Sequence, residues 1–125
     1  MANPNIIQAS GIYAKNSFVK LENTSGVLLV ANQANSNKVF LVDSMIIANV
    51  HGSNAIDVTI DLHQTATSGA NPTKLLSTVA VPADASLVAI SKDTAAVLNE
   101  NMSIYGFASA SGLHIITNWK EVGAI

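Results

Sequence analysis

The segment from Asp57 to His63 reads Asp-Val-Thr-Ile-Asp-Leu-His, a strict alternation of polar and apolar residues. Successive side chains of a strand point to opposite faces, so Val58, Ile60 and Leu62 share one face and Asp57, Thr59, Asp61 and His63 the other. A strand of this kind is half-buried and needs a second layer over its apolar side. The same grammar recurs along the chain. Ser17 to Leu21, Gly26 to Ala31, Thr73 to Val81, Leu87 to Ile90, Ala95 to Leu98, Ser103 to Ser109 and Leu113 to Val122 are further candidates, separated by Asn, Ser, Gly and Pro. No segment carries a helical period with caps. About eight short strands, spaced by roughly 8 to 12 residues, predict an all-β fold, an antiparallel β-sandwich or a barrel.

Lys38 to Val50 is the longest candidate and differs from the rest in offering two apolar faces. Its even positions Phe40, Val42, Ile46, Ala48 and Val50 form one; Val39, Leu41, Met45 and Ile47 form the other, broken by Asp43. A sandwich strand normally buries one face. The second is covered by a loop or sheet of the same domain, or by another subunit. Val39, Leu41, Met45 and Ile47 are accordingly interface candidates. His51-Gly-Ser-Asn54 reads as a hairpin turn that makes the strands on either side antiparallel neighbours. Pro82 ends the strand before it, having no N–H for the ladder. Residues 17–125 read as a single domain. Residues 1–16 read as an N-terminal arm or edge strand, with Ile6 and Ile7 as interface candidates because this apolar stretch is interrupted at Gly11.

Composition narrows the partners. Of the 125 residues only 11% are charged, against about a quarter in ordinary soluble domains, while 49% are apolar. Part of so uncharged a surface is expected to lie under a partner. The six cations, Lys15, Lys20, Lys38, Lys74, Lys92 and Lys120, are scattered, arginine is absent and the net charge is -2, which argues against nucleic acid. The longest apolar runs fall far short of the roughly 20 residues of a spanning helix, and the N-terminus lacks the pattern of a secretory leader. No membrane partner is expected. Cysteine is absent, so thiolate chemistry and Cys-bound zinc are excluded.

The residues that carry chemistry do not assemble into a pattern. His51, His63 and His114 lie in three different elements, no two closer than 12 residues, and read as structural or surface side chains. Asp57 and Asp61 are two alternations apart on one strand. Alternate residues sit about 6.5 to 7 Å apart, so these carboxylates cannot share an ion without help from loops. That face reads as solvated, with a calcium- or carbohydrate-binding module as the alternative. Ser17-Phe-Val-Lys20 fits a Ser-x-x-Lys pattern but lacks the companion motifs of penicillin-recognising enzymes. Most aromatic residues fall within strands where a core role is expected, Trp119 among them. No nucleophile, base and orienting group can be named together. The expectation is a protein without enzymatic activity, cofactor or metal.

Several motifs in order carry a resemblance: Gly26-Val-Leu-Leu-Val, the run from Lys38 through Ala48-Asn-Val-His-Gly-Ser-Asn54 to Asp57-Val-Thr-Ile60, Val79-Ala-Val-Pro-Ala-Asp-Ala-Ser-Leu-Val88, and Val97-Leu-Asn-Glu-Asn101. Together, over roughly residues 24 to 122, the chain resembles small virion structural proteins of tailed bacteriophages, especially of phages infecting cyanobacteria and other aquatic bacteria. The resemblance implies a jelly-roll-like β-sandwich present in many copies, often as a homotrimer. The expected function is capsid decoration (cement): binding across major capsid protein subunits on the capsid surface after assembly in the host cytoplasm. A tail, neck or baseplate component is the alternative within the virion.

Overall fold

The structure, a computed structural model, describes residues 11–22, 24–67 and 71–123. They form nine strands: β1 (Gly11–Leu21), β2 (Val27–Asn32), β3 (Lys38–Asn49), β4 (Ile56–His63), β5 (Thr73–Val81), β6 (Ser86–Ile90), β7 (Ala96–Leu98), β8 (Met102–Ala108) and β9 (Leu113–Gly123), with one 3₁₀ turn at Lys92–Thr94. One sheet has the order β1-β9-β3-β6, with β7 also on β3, and the other the order β2-β8-β4-β5. All pairings are antiparallel. This is jelly-roll topology: two four-strand paths filled by a chain that passes repeatedly from one sheet to the other. β6 and β7 act as one strand split by the 3₁₀ turn, since they pair with Met45–Ala48 and Phe40–Val42 of the same β3.

The His51–Asn54 turn does not make a hairpin. β3 and β4 lie in different sheets, and the turn carries the chain between them. Its geometry is set by side chains. His51 Nδ1 accepts from the backbone N–H groups of Ser53 and Asn54 at 3.2 and 3.1 Å, and Asn49 Nδ2 donates to the carbonyls of Asn54 and Val81 at 2.9 and 2.8 Å. Asn32 does the same at another crossing, donating to Lys38 O at 2.9 Å and Leu98 O at 3.0 Å. Both asparagines are buried, and satisfying carbonyls that have left a ladder is what makes their burial tolerable. Among the described residues the non-glycine positions with positive φ are Asn35, Asn37, Asn71, Asp84 and Asn101, types that tolerate the left-handed region, and Thr78.

The core lies between the sheets, with Met45, Ile47, Ile115 and Leu113 from one meeting Val58, Ile60 and Ile104 from the other. Gly106 is needed for this closeness. A Cβ there would come within 3.0 Å of Ile60 Cδ1 and 3.2 Å of Leu29 Cδ1. The double apolar face of Lys38 to Val50 resolves into a single inner face with a slip in it. The β3–β9 register shifts between Val42 and Ser44, so Phe40 and Val42 point inward before Asp43, and Met45, Ile47 and Asn49 point inward after it. Met45 and Ile47 are therefore core residues, each 0% exposed, and are not available as an interface. Val39 and Leu41 do lie on the outer side of β3; Val39 is buried opposite Val122, and Leu41 is half-buried between Val97 and Lys120. β1 runs unbroken across position 16, so residues 11–16 belong to an edge strand paired with β9. Ile6 and Ile7 lie outside the described residues.

Candidate functional site

Two surfaces stand out, one on the outer face of each sheet. On the five-stranded sheet the register lines up Phe18 with Ile116, Ile116 with Ile46, and Ile46 with Val88. These four side chains form a row across β1, β9, β3 and β6. They are 71%, 40%, 37% and 60% exposed. A depression of about 220 Å³ beside the row is lined by Phe18, Lys20, His114 and Ile116. Scattered exposed apolar residues are ordinary, but a register-aligned row over four strands is contiguous, and contiguous apolar surface marks interaction sites.

On the four-stranded sheet the outer face carries Thr59, Asp61 and His63 of β4 opposite Phe107, Tyr105 and Ser103 of β8. The face is not the solvated one expected from alternation: Asp61 and His63 are only 6% and 5% exposed. Tyr105 meets the His63 ring edge-on at 5.0 Å between centroids, Lys74 of β5 pairs with Asp61 Oδ1 at 2.8 Å, and the same ammonium lies 5.7 Å from the Phe107 ring centre. The loop after β4 is tied down at Ala66 N, which donates to Asn101 Oδ1 at 3.0 Å, and at Thr65 O, which accepts from Ser103 Oγ at 2.6 Å. Asp61, His63, Tyr105 and Phe107, with Thr24, Gly26 and Pro72 at its margin, line an open depression of about 310 Å³.

A third cluster is structural. Glu121, buried on the inner face of β9, accepts from Trp119 Nε1 at 3.2 Å and pairs with Lys38 at 3.2 Å and Lys15 at 3.4 Å. Trp119 is half-buried and stacks on Phe40 at 6.3 Å, packing against the core edge rather than presenting a flat surface platform. Burial pushes the Glu121 carboxyl up, but the Trp119 hydrogen bond and the two lysines outweigh it, so its pKa is lowered from the usual 4.5. A depressed carboxylate stabilises the fold above its unfolded pKa and ceases to do so as pH falls through the folded value. Glu121→Gln is expected to lower stability at neutral pH by about 1 kcal/mol and to flatten the loss below pH 4.5. Urea midpoints of both proteins across the acid range check this; parallel curves would remove Glu121 from the acid transition.

The histidines stay apart, His51 in the inter-sheet turn, His63 in the pocket and His114 on the opposite outer face, and among the described residues no three His, Asp or Glu side chains gather as a metal site would require. Sequence reasoning missed Phe18, Tyr105 and Phe107 as surface residues. The signal for the last two was the alternation of β8, in which Ile104, Gly106 and Ala108 occupy the inner face.

The chain matches no family model and no curated relative. Among solved structures it is similar to that of Bacillus endospore appendages, reported as forming a novel family of disulfide-linked pili, with 12% identity, a TM-score of 0.55, and coverage of 100% of this chain and 98% of that one. A match to infectious bursal disease virus, Gt strain, has 8% identity, a TM-score of 0.32, and covers 94% of this chain and 38% of that one. The first likeness is one of fold: this chain shares a β-sandwich with a pilus protein while having no cysteine of its own.

Proposed function

We propose that this protein is a non-enzymatic structural component of a phage virion, a capsid decoration protein that forms a homotrimer and binds across neighbouring major capsid protein subunits. The observation that carries the reading is the Phe18–Ile116–Ile46–Val88 row, apolar surface displayed by a fold with a well-filled core of its own. At 11% charged residues the remaining surface has little to keep copies apart. The row stands in place of Met45 and Ile47 as the face that assembly covers. Its gain would come from apolar area removed from water, at roughly 25 cal/mol per Å² before the costs of association.

Mass in solution and copy number per particle test the reading together. Decoration predicts a stable trimer in solution and hundreds of copies on a purified particle. Tens of copies or fewer would transfer the protein to the tail, neck or baseplate. A monomer that co-purifies with no particle would end the virion reading.

A further inference from the structure

A β-sandwich has four sheet edges, and an edge strand presents backbone N–H and C=O groups that another chain can pair with. Here the edges are β1 and β6–β7 of one sheet and β2 and β5 of the other. Three of them are interrupted. The 3₁₀ turn at Lys92–Thr94 splits β6 from β7, the β2–β8 register shifts between Leu28 and Val30, and the β5–β4 register shifts on either side of Ile60, with Thr78 of β5 held at φ 51°. Breaks of this kind twist an edge away from foreign strands. β1 has none. It runs 11 residues from Gly11 to Leu21 in continuous register with β9, contains no proline, and among the described residues pairs with no other strand.

Its side chains decide what it can pair with. Lysine on an edge normally discourages pairing, but Lys15 is turned to Glu121 at 3.4 Å, and Lys20 sits one residue from the strand's end. Laid antiparallel against itself with Asn16 at the centre, β1 sets Phe18 opposite Ala14, Tyr13 opposite Val19, Ser17 opposite Lys15 and Ile12 opposite Lys20, so no like charges meet. Phe18, Tyr13 and Ile12, all exposed in the single chain, each gain a cross-strand neighbour, Ile12 the methylene stem of Lys20. Every residue of the strand is used, for about ten interstrand N–H···O bonds. We propose that β1 pairs antiparallel with β1 of a second copy across a two-fold axis at Asn16, making one sheet continuous through both molecules. A two-fold contact cannot close a ring of three, so it is separate from the contact that builds the trimer and joins copies of different trimers. A single edge contact is short-lived in dilute solution, and trapping reads it better than mass does.

The chain has no cysteine, so introduced cysteines report the contact without background. Side chains directly opposite on an antiparallel pair have Cβ atoms about 4.5 to 5.5 Å apart, close enough for a disulfide after a small adjustment. Full-length Asn16→Cys, mildly oxidised at high concentration, should form a disulfide-linked dimer at least about tenfold faster than Ala110→Cys, an exposed position in the loop between β8 and β9. Ile12→Cys and Lys20→Cys should each stay unlinked alone, since the two copies of either residue stand about 27 Å apart along the paired strands, and should link to one another when mixed. Adding Asn16→Lys to both should abolish the mixed dimer by setting two ammonium groups face to face at the axis. Native-like amide dispersion in each variant separates a lost contact from a lost fold. The proposal is overturned if Asn16→Cys links no faster than Ala110→Cys, if the mixed pair links no faster than either variant alone, or if Asn16→Lys leaves that linking unchanged. The mass of the parent chain and its copy number per particle judge the virion reading separately, and no cross-linking result alters them.

Discussion

Asp at position 45 or 47 is expected to unfold the domain. Met45 and Ile47 are each fully buried, Met45 opposite Ile90 and Thr117, Ile47 opposite Ile115 and Leu87. Both side chains belong to the cluster of buried apolar residues between the sheets, so a new carboxylate there would face apolar groups. Placing an unpaired charge there costs several kcal/mol even after relaxation, and the lost packing of Met or Ile adds about 2 to 5 kcal/mol. Against the roughly 5 to 15 kcal/mol by which a domain of this size is stable, either substitution consumes most or all of it. Far-UV circular dichroism and amide dispersion of Met45→Asp and Ile47→Asp check the outcome. A variant that stays folded with a native melting temperature would show that the inner-face register of β3 is wrong. Ile47→Val is the graded control, expected to cost about 1 kcal/mol.

That expectation reverses what strict alternation implies for the same residues, and the reason is local. Period-two reading of Lys38 to Val50 assumes an unbroken pleat, which sets Phe40 and Val42 against Met45 and Ile47 on opposite faces. One extra residue at Asp43 moves the second half of the strand by one position, and all four become inner-face residues. The bulge has no unique sequence signature: an Asp-Ser pair inside an apolar strand also suits a continuous strand with a polar rim. The strand limits of β5 and the faces of β9 follow from proline and alternation: β9 pairs with β1 without a shift, and β5 keeps its limits although its pairing with β4 shifts on either side of Ile60. Strand partners do not follow. Of the connections between sequence-adjacent strands in different sheets, the one after β3 looks like a hairpin in sequence, and the strand pairings make it a crossing, β3 bonding to β6, β7 and β9 and β4 to β5 and β8.

The two candidate surfaces were hidden for a related reason. Aromatic residues in a strand are assigned inward by size, whereas β8 places Gly106 and Ala108 inward to admit Ile60 and Leu29 and turns Tyr105 and Phe107 outward. Asp61 and His63 do sit on the polar face that alternation gives them. Their burial comes from partners distant in sequence, Lys74, Tyr105 and Pro72, none of which a single-strand pattern contains. The apolar row is less legible still, since its members come from four strands and become neighbours only through three separate registers.

Phe18→Asp and Val88→Asp, at the two ends of that row, are expected to leave the fold intact and abolish assembly. Both side chains are mostly exposed in the single chain, at 71% and 60%, so an Asp there remains solvated and should change the unfolding free energy by about 0.5 kcal/mol or less. In an assembled state the same positions are desolvated. A carboxylate then replaces apolar area and brings its own desolvation penalty, which together should weaken association by at least about 2 to 3 kcal/mol per substitution, or roughly a hundredfold. The pair separates folding from assembly in a way that Met45 and Ile47 cannot, because a core substitution destroys both at once. Sedimentation velocity gives the oligomer and melting gives the fold. Monomeric variants that melt like the parent and fail to load onto particles would establish the outer face of the five-stranded sheet as the assembly surface. Variants that remain trimeric and still load would exclude it, and assembly would then have to use the sheet edges, β1 and β6–β7 of one sheet and β2 and β5 of the other, or the pocket face of the four-stranded sheet. If the variants remain trimeric but no longer load, the row faces the shell and the trimer is built elsewhere; if they are monomeric yet still load, it holds the copies together and the capsid contact lies on another face.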